Sequence, residues 1–242
     1  MIEFYRKKEL AFSLICIGAY VVLFSAADNI SSIIGIKSVL TASISLAFCV
    51  FLLIFIMRGD FAGKFGLRGF EGSVVRYLFF IPLLALASCN LWNGAELSMS
   101  TTETALFVVK MLCVGFIEEI LFRGFLFNAL TKDNKKLAVL ISSLTFGAGH
   151  LVNLFNGVDF LSTVLQICYA AAIGFLFTII FMRSKSLWPC IITHGAINSL
   201  SAFSVDGAVS FDIITSLILI AISVGYALFI IKFCKDRKHE ST

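Results

Sequence analysis

The chain has 242 residues, of which 59% are hydrophobic and only 14% charged, with a mean hydropathy of +0.98 and a formal net charge of +4. A soluble domain carries about 25% charged residues, so this composition excludes a water-soluble globular protein and points to an integral membrane one. The small basic excess calls for no nucleic acid, because the basic residues flank apolar runs where an anionic inner leaflet attracts them.

In chain order, runs with few or no charges and long enough to cross a bilayer as helix, roughly 17 to 25 residues, occupy 10–27, 38–57, 77–92, 104–130, 137–154, 161–182, 187–203 and 213–231. They predict an all-α polytopic membrane helix bundle of about eight transmembrane helices, forming one integral domain over 1–242. The first run follows Arg6-Lys7-Lys8 as a signal peptide would, but it is longer than a usual apolar h-region and seven more runs follow. It is expected to be an uncleaved first helix. The longest connection, 58–76, is rich in glycine and is expected to hold a short interfacial helix near 71–76. The third run is short and contains Pro82. The fourth is long and contains charges. Pro189 falls near the start of the seventh, where a missing amide hydrogen is tolerated.

Orientation follows from the connections. Placing the N-terminus in the cytoplasm puts sixteen of the nineteen Lys and Arg on that side, in five clusters running from Arg6 through Arg58, Lys132 and Arg183 to Lys238. Lys37, Lys110 and Arg123 are the remainder, and the outer connections carry Asp28, Glu96, Glu103, Asp159, Asp206 and Asp212 instead. The positive-inside rule then makes both termini cytoplasmic and the protein multi-pass in the cell membrane. All seven cysteines lie in or at the end of apolar runs without CxxC spacing, as small packing residues do.

Within the fourth run stand Glu118, Glu119 and Arg123. An ionisable side chain in hydrocarbon costs several kcal/mol, so three so close together are a functional signal. Glu119 and Arg123 are four apart and can pair on one helix face. Glu118 is turned from them by about 100°. Two of the three histidines, His150 and His194, lie in other apolar runs, and Asn198 follows His194 by one turn. Counted from the basic ends, Glu118 and His150 stand about 14 residues up, roughly 21 Å, and Asn198 about 13, roughly 20 Å. Three helices thus bring polar groups to one level.

In order, Glu118-Glu119-x-x-x-Arg123, Phe146-x-x-x-His150 and His194-x-x-x-Asn198 on successive apolar segments resemble the motifs of the CPBP family (CAAX prenyl proteases and bacteriocin-processing enzymes, the Abi group). The likeness runs from 116 to about 201, within the motif-bearing helices 104–203. It implies an intramembrane endopeptidase. Glu118 would be the general base acting with His150 on a water, and His194 and Asn198 would donate to the oxyanion, a role suited to Asn because its amide donates without titrating. Glu119 and Arg123 would complete the catalytic set, and Phe146 would pack beside it.

Zinc is the mechanistic rival, with Glu118, His150 and His194 as the carboxylate and imidazoles that catalytic zinc accepts. HExxH is lacking and Asn198 is a poor zinc ligand, so a metal-free glutamate mechanism without cofactor is preferred. A proton-coupled transporter would also bury carboxylates and histidines, and a bacteriocin self-immunity scaffold would keep the fold without the chemistry. Short loops and a composition rich in Phe, Ile and Lys look bacterial, which makes secreted peptides or membrane-protein segments the expected substrates.

Overall fold

The computed structural model describes residues 1–36 and 38–234; Lys37, Lys235, Arg237 and Lys238, counted above for orientation, lie outside the described residues. Nine helices carry the fold among the described residues: α1 (Ile2–Lys7), α2 (Glu9–Ile34), α3 (Val39–Gly59), α4 (Ile81–Ala87), α5 (Thr101–Glu119), α6 (Lys135–Ala148), α7 (Phe160–Ser184), α8 (Trp188–Leu200) and α9 (Val209–Phe233). Among the described residues five segments are long and apolar enough to cross a membrane, namely Glu9–Ser31, Val39–Gly59, Lys135–Phe155, Phe160–Ser184 and Val209–Phe233. The architecture is a polytopic helical bundle.

The helix starts are written locally. Ser100 caps α5 in a reciprocal capping box with Glu103, and Asn134 caps α6 through the amides of Lys136 and Leu137. Asp159 caps α7 by accepting from Ser162 N, and the Ser162 side chain first, with that amide second, holds its carboxyl below the ordinary value of 3.8. Short turns in Val74–Phe80, broken by a kink with non-helical backbone at Tyr77, Leu78 and Phe79, lie a few residues beyond the expected interfacial helix.

The run 77–92 does not form one spanning helix. Leu78, Phe79 and Phe80 all have positive φ, and α4 begins only at Ile81. Proline is accommodated in the first turn of a helix and not deeper, so Pro82 fixes where α4 starts. The seven residues that follow reach only about 10 Å. Tyr226 secures the reversal by donating its hydroxyl to Tyr77 O at 2.6 Å.

The fourth run is one rod from Thr101 to Leu130, but its middle, Ile120–Phe127, is a π-helix in which every residue is buried. π segments are rare and occur often at functional sites. Ser142 of α6 donates to Phe122 O in this segment at 3.0 Å, satisfying one of its carbonyls from a neighbouring helix. This rod lies at the centre of the bundle, with α3 and α8 against α5, α2 against the π segment, and α7 flanked by α6 and α9.

The antiparallel order gives the bundle two unlike ends. At one end Glu9 accepts from Lys64 at 2.7 Å and pairs with Lys132 at 3.0 Å, tying three connections together. Beside them Tyr5 sits in a ring cluster, its centroid 4.9 to 5.7 Å from those of Phe12, Phe55, Phe61, Phe65 and Phe125. At the opposite end Glu96 N donates to Phe203 O and Asn93 donates to the carbonyls of Val205 and Asp206.

Candidate active site

Glycines set how closely the site helices approach. A Cβ on Gly115 would stand 2.6 Å from Gly195 N and 2.8 Å from its Cα, so α5 and α8 touch backbone to backbone just before Glu118 and just after His194. A Cβ on Gly147 would meet Ile167 O at 2.7 Å, which puts α6 equally close to α7 beside Phe146. Small residues at such crossings are how apolar helices pack in membranes.

This packing assembles a buried polar cluster. Arg123 and Glu119 are wholly inaccessible to solvent, and Arg123 Nη1 donates to Glu119 Oε1 at 2.9 Å while Nη2 donates to Gly174 O at 3.0 Å. The guanidinium lies 4.3 Å from the centroid of Phe146 and 5.7 Å from that of Phe177. A Cβ on Gly174 would crowd it at 3.0 Å, so that position also makes room for arginine. Glu119 Oε1 has a second partner, His194 Nδ1, at 2.9 Å. A carboxylate only accepts, so Nδ1 carries the proton in this contact and the Nε2 edge is left facing the other way. That edge points to Glu118 Oε2 at 3.6 Å.

Glu118 itself is partly exposed, in contrast to Glu119. Its Oε1 accepts the phenol hydroxyl of Tyr20, on α2, at 2.5 Å. Beyond it opens a cavity of about 400 Å³ lined by Glu118, His150, His194 and Asn198 together, a size in the range of ligand sites. The α6 helix tightens into a 3₁₀ turn at Gly149–Leu151, which presents His150 to the cavity. Phe146 wedges between the two imidazoles, 6.0 Å from His150 and 5.4 Å from His194 between ring centroids. Asn90 steadies α8 by donating to Ile197 O at 2.7 Å. Farther out the wall holds Lys110 paired with Asp28 at 3.2 Å, Thr41 donating to Asp28 at 2.6 Å, and Asn153 donating to Gln166 at 2.7 Å.

The structure therefore brings Glu118, His150, His194 and Asn198 to one surface and sets Glu119 and Arg123 behind it. A carboxylate, two imidazoles and an amide around one cleft can take a proton from water, hold it and donate to a developing oxyanion. Toward zinc the fit is poorer. Glu118 and His194 are near one another, yet among the described residues no three His, Cys, Asp or Glu side chains stand close enough to share a metal ion.

Residues 100–200 match the family model described as type II CAAX prenyl endopeptidase Rce1-like. That segment is similar to the CPBP family. Among curated proteins, "Putative membrane peptidase YdiL" of Bacillus subtilis (strain 168) is 28% identical over 148 residues, covering 61% of this chain. The aligned part is 54% of that relative, so the chain spans about half the length of the curated protein it matches.

Tyr20 is the site residue that sequence reasoning missed. It lies outside the segment that matches the family model, 98 positions from its partner, in an apolar run. One signal was available. Tyr20 stands about 12 residues above Lys8, roughly 18 Å, near the level computed for the other site groups.

Proposed function

We propose that this protein is an intramembrane endopeptidase in which Glu118 activates water without a metal. The observation that carries the reading is the convergence of Glu118, His150, His194 and Asn198 on one cavity, with Glu118 fixed by Tyr20 and facing His194. A water between Glu118 and His150 gives its proton to the carboxylate as its oxygen attacks the scissile carbonyl carbon. The oxyanion so formed accepts from the Asn198 amide, and from His194 Nε2 when that nitrogen carries a proton as well. Glu118 then returns its proton to the amide nitrogen as the C–N bond breaks, leaving a carboxylic acid and an amine, and the acid's proton passes to the amine to give a carboxylate and an ammonium. Glu119 and Arg123 hold the His194 ring in place.

Both termini are assigned to the cytoplasm from the distribution of Lys and Arg. Secreted peptides or membrane-protein segments are the proposed substrates, extending to this chain the peptidase activity carried in the relatives' names.

Purified Glu118→Gln, His150→Ala and His194→Ala proteins are expected to lose peptide cleavage in detergent while melting at the parent temperature. A Glu118→Gln variant that cuts as fast as the parent removes the base. Activity lost to a chelator and restored by zinc reverses the choice of a metal-free mechanism, and vesicle uptake of a peptide without cleavage turns the reading to a transporter.

A further inference from the structure

The cavity has a direction. Most of its lining residues run from about mid-helix to the end away from the Lys64–Glu9–Lys132 cluster, Tyr20 to Asp28 on α2, Lys110 to Glu118 on α5, Gln166 to Ile173 on α7 and His194 to Asn198 on α8, and Phe122 of the π segment lies deepest. Its outermost lining residues, Asp28 and Asn156, are exposed. Toward the basic end it is closed in two layers. The first is the guanidinium of Arg123 between Phe146 and Phe177, all three buried, and the second is the ring cluster around Tyr5 with Phe125 of the π segment. A peptide therefore has a path to Glu118 from one end of the bundle and meets packed rings from the other.

The charge pattern identifies that end. Connections at the closed end hold most of the Lys and Arg, among them Arg58, Lys64, Arg68, Lys132 and Lys185, whereas those at the open end hold Glu96, Asp159 and Asp206. Basic connections stay on the cytoplasmic side. We infer that the cavity opens on the external face of the membrane, so that its substrates are polypeptide segments presented from outside the cell and not cytosolic chain ends. The inference deepens the proteolytic reading and rests on it for the word substrate. The position of the mouth rests only on geometry and charge.

The mouth suits a peptide. Asn153, Asn156 and Gln166 offer amides that both donate and accept, matching an extended backbone without regard to side chain. Lys110, eight residues from Glu118 along α5, adds a buried cation roughly 12 Å above the base.

Cysteine accessibility tests this without any need for activity. In a Cys89→Ser, Cys168→Ser background, which removes a cavity thiol and an exposed one, single cysteines replace Asn156 at the rim, Met111 inside the cavity and Lys132 at the basic end. The probe is a membrane-impermeant trimethylammonium methanethiosulfonate applied to intact cells. Asn156→Cys and Met111→Cys are expected to react at once, and Lys132→Cys only after permeabilisation. The reverse pattern overturns the orientation. A Met111→Cys that reacts only after permeabilisation overturns the external mouth even if Asn156→Cys reacts outside. In sealed, oriented vesicles a fluorogenic peptide library should be cut on the Asn156 side, and cutting confined to the Lys132 side overturns the inference. Absence of cutting on both sides, with the expected labelling, removes the peptidase reading and leaves the external mouth supported.

Discussion

Glu118 and Glu119 are neighbours in sequence with opposite surroundings. Glu118 meets the cavity with a phenol on one oxygen, whereas Glu119 is sealed among Arg123, His194 and packed rings. Hydrogen bonds to charged groups contribute about 1.5–3 kcal/mol, and 1.36 kcal/mol is tenfold in rate, so Tyr20→Phe should lower kcat by about 10- to 100-fold with KM little changed. Steady-state kinetics on the purified variant checks this, and an unchanged kcat removes Tyr20 from the proton chemistry. Among the described residues Glu119 Oε2 and Arg123 Nε are buried without a hydrogen-bond partner, which marks the pair as a positioning device more than an optimised source of stability. Removing one partner leaves a buried charge uncompensated. Arg123→Met should therefore cost about 3–5 kcal/mol of stability, and Glu119→Gln added to it should recover a large part. Denaturant unfolding in micelles separates these outcomes, and a double variant no more stable than Arg123→Met overturns the argument.

At the scale of elements, the backbone contact between α5 and α8 sets the distance between the carboxylates and His194. A methyl at Gly115 must push α8 away, and overpacking of this kind costs about 1–3 kcal/mol. Gly115→Ala should lower the melting temperature and abolish activity out of proportion to that loss, because the displaced ring no longer reaches Glu119. Gly225 on α9 is the control. It has open space around it, and an alanine there should be neutral or stabilise by up to about 1 kcal/mol. Equal damage from both substitutions would show that the close crossing is unimportant. The π segment works on the same scale. Its wider turn carries Arg123 and Phe125 inward on one rod, so a single element supplies the ion pair and part of the closure beneath it.

Across the whole molecule, the groups brought together were legible wherever a motif had helical spacing. Glu119 and Arg123, or His194 and Asn198, lie four apart, and that spacing alone places each pair on one face. The long apolar runs around α2, α3, α7 and α9 were equally readable because length and composition are what a bilayer selects. The run 77–92 misled because its apolar length imitates a span while Pro82 fixes a late helix start. The π turn left no trace, since the residues around Arg123 in Ile120–Phe127 are apolar on every side and fit either helical pitch. Tyr20 was hidden by distance along the chain, its role depending on a tertiary contact that no local pattern encodes. That contact also bears on how the protein can be dissected. The phenol belongs to α2, whereas the segment matching the family model starts at residue 100, so an excised 100–242 fragment should be inert however well it inserts. Supplying 1–99 as a separate polypeptide in the same membrane should rescue turnover by complementation in trans, and a fully active 100–242 fragment would show that the amino-terminal hairpin is dispensable.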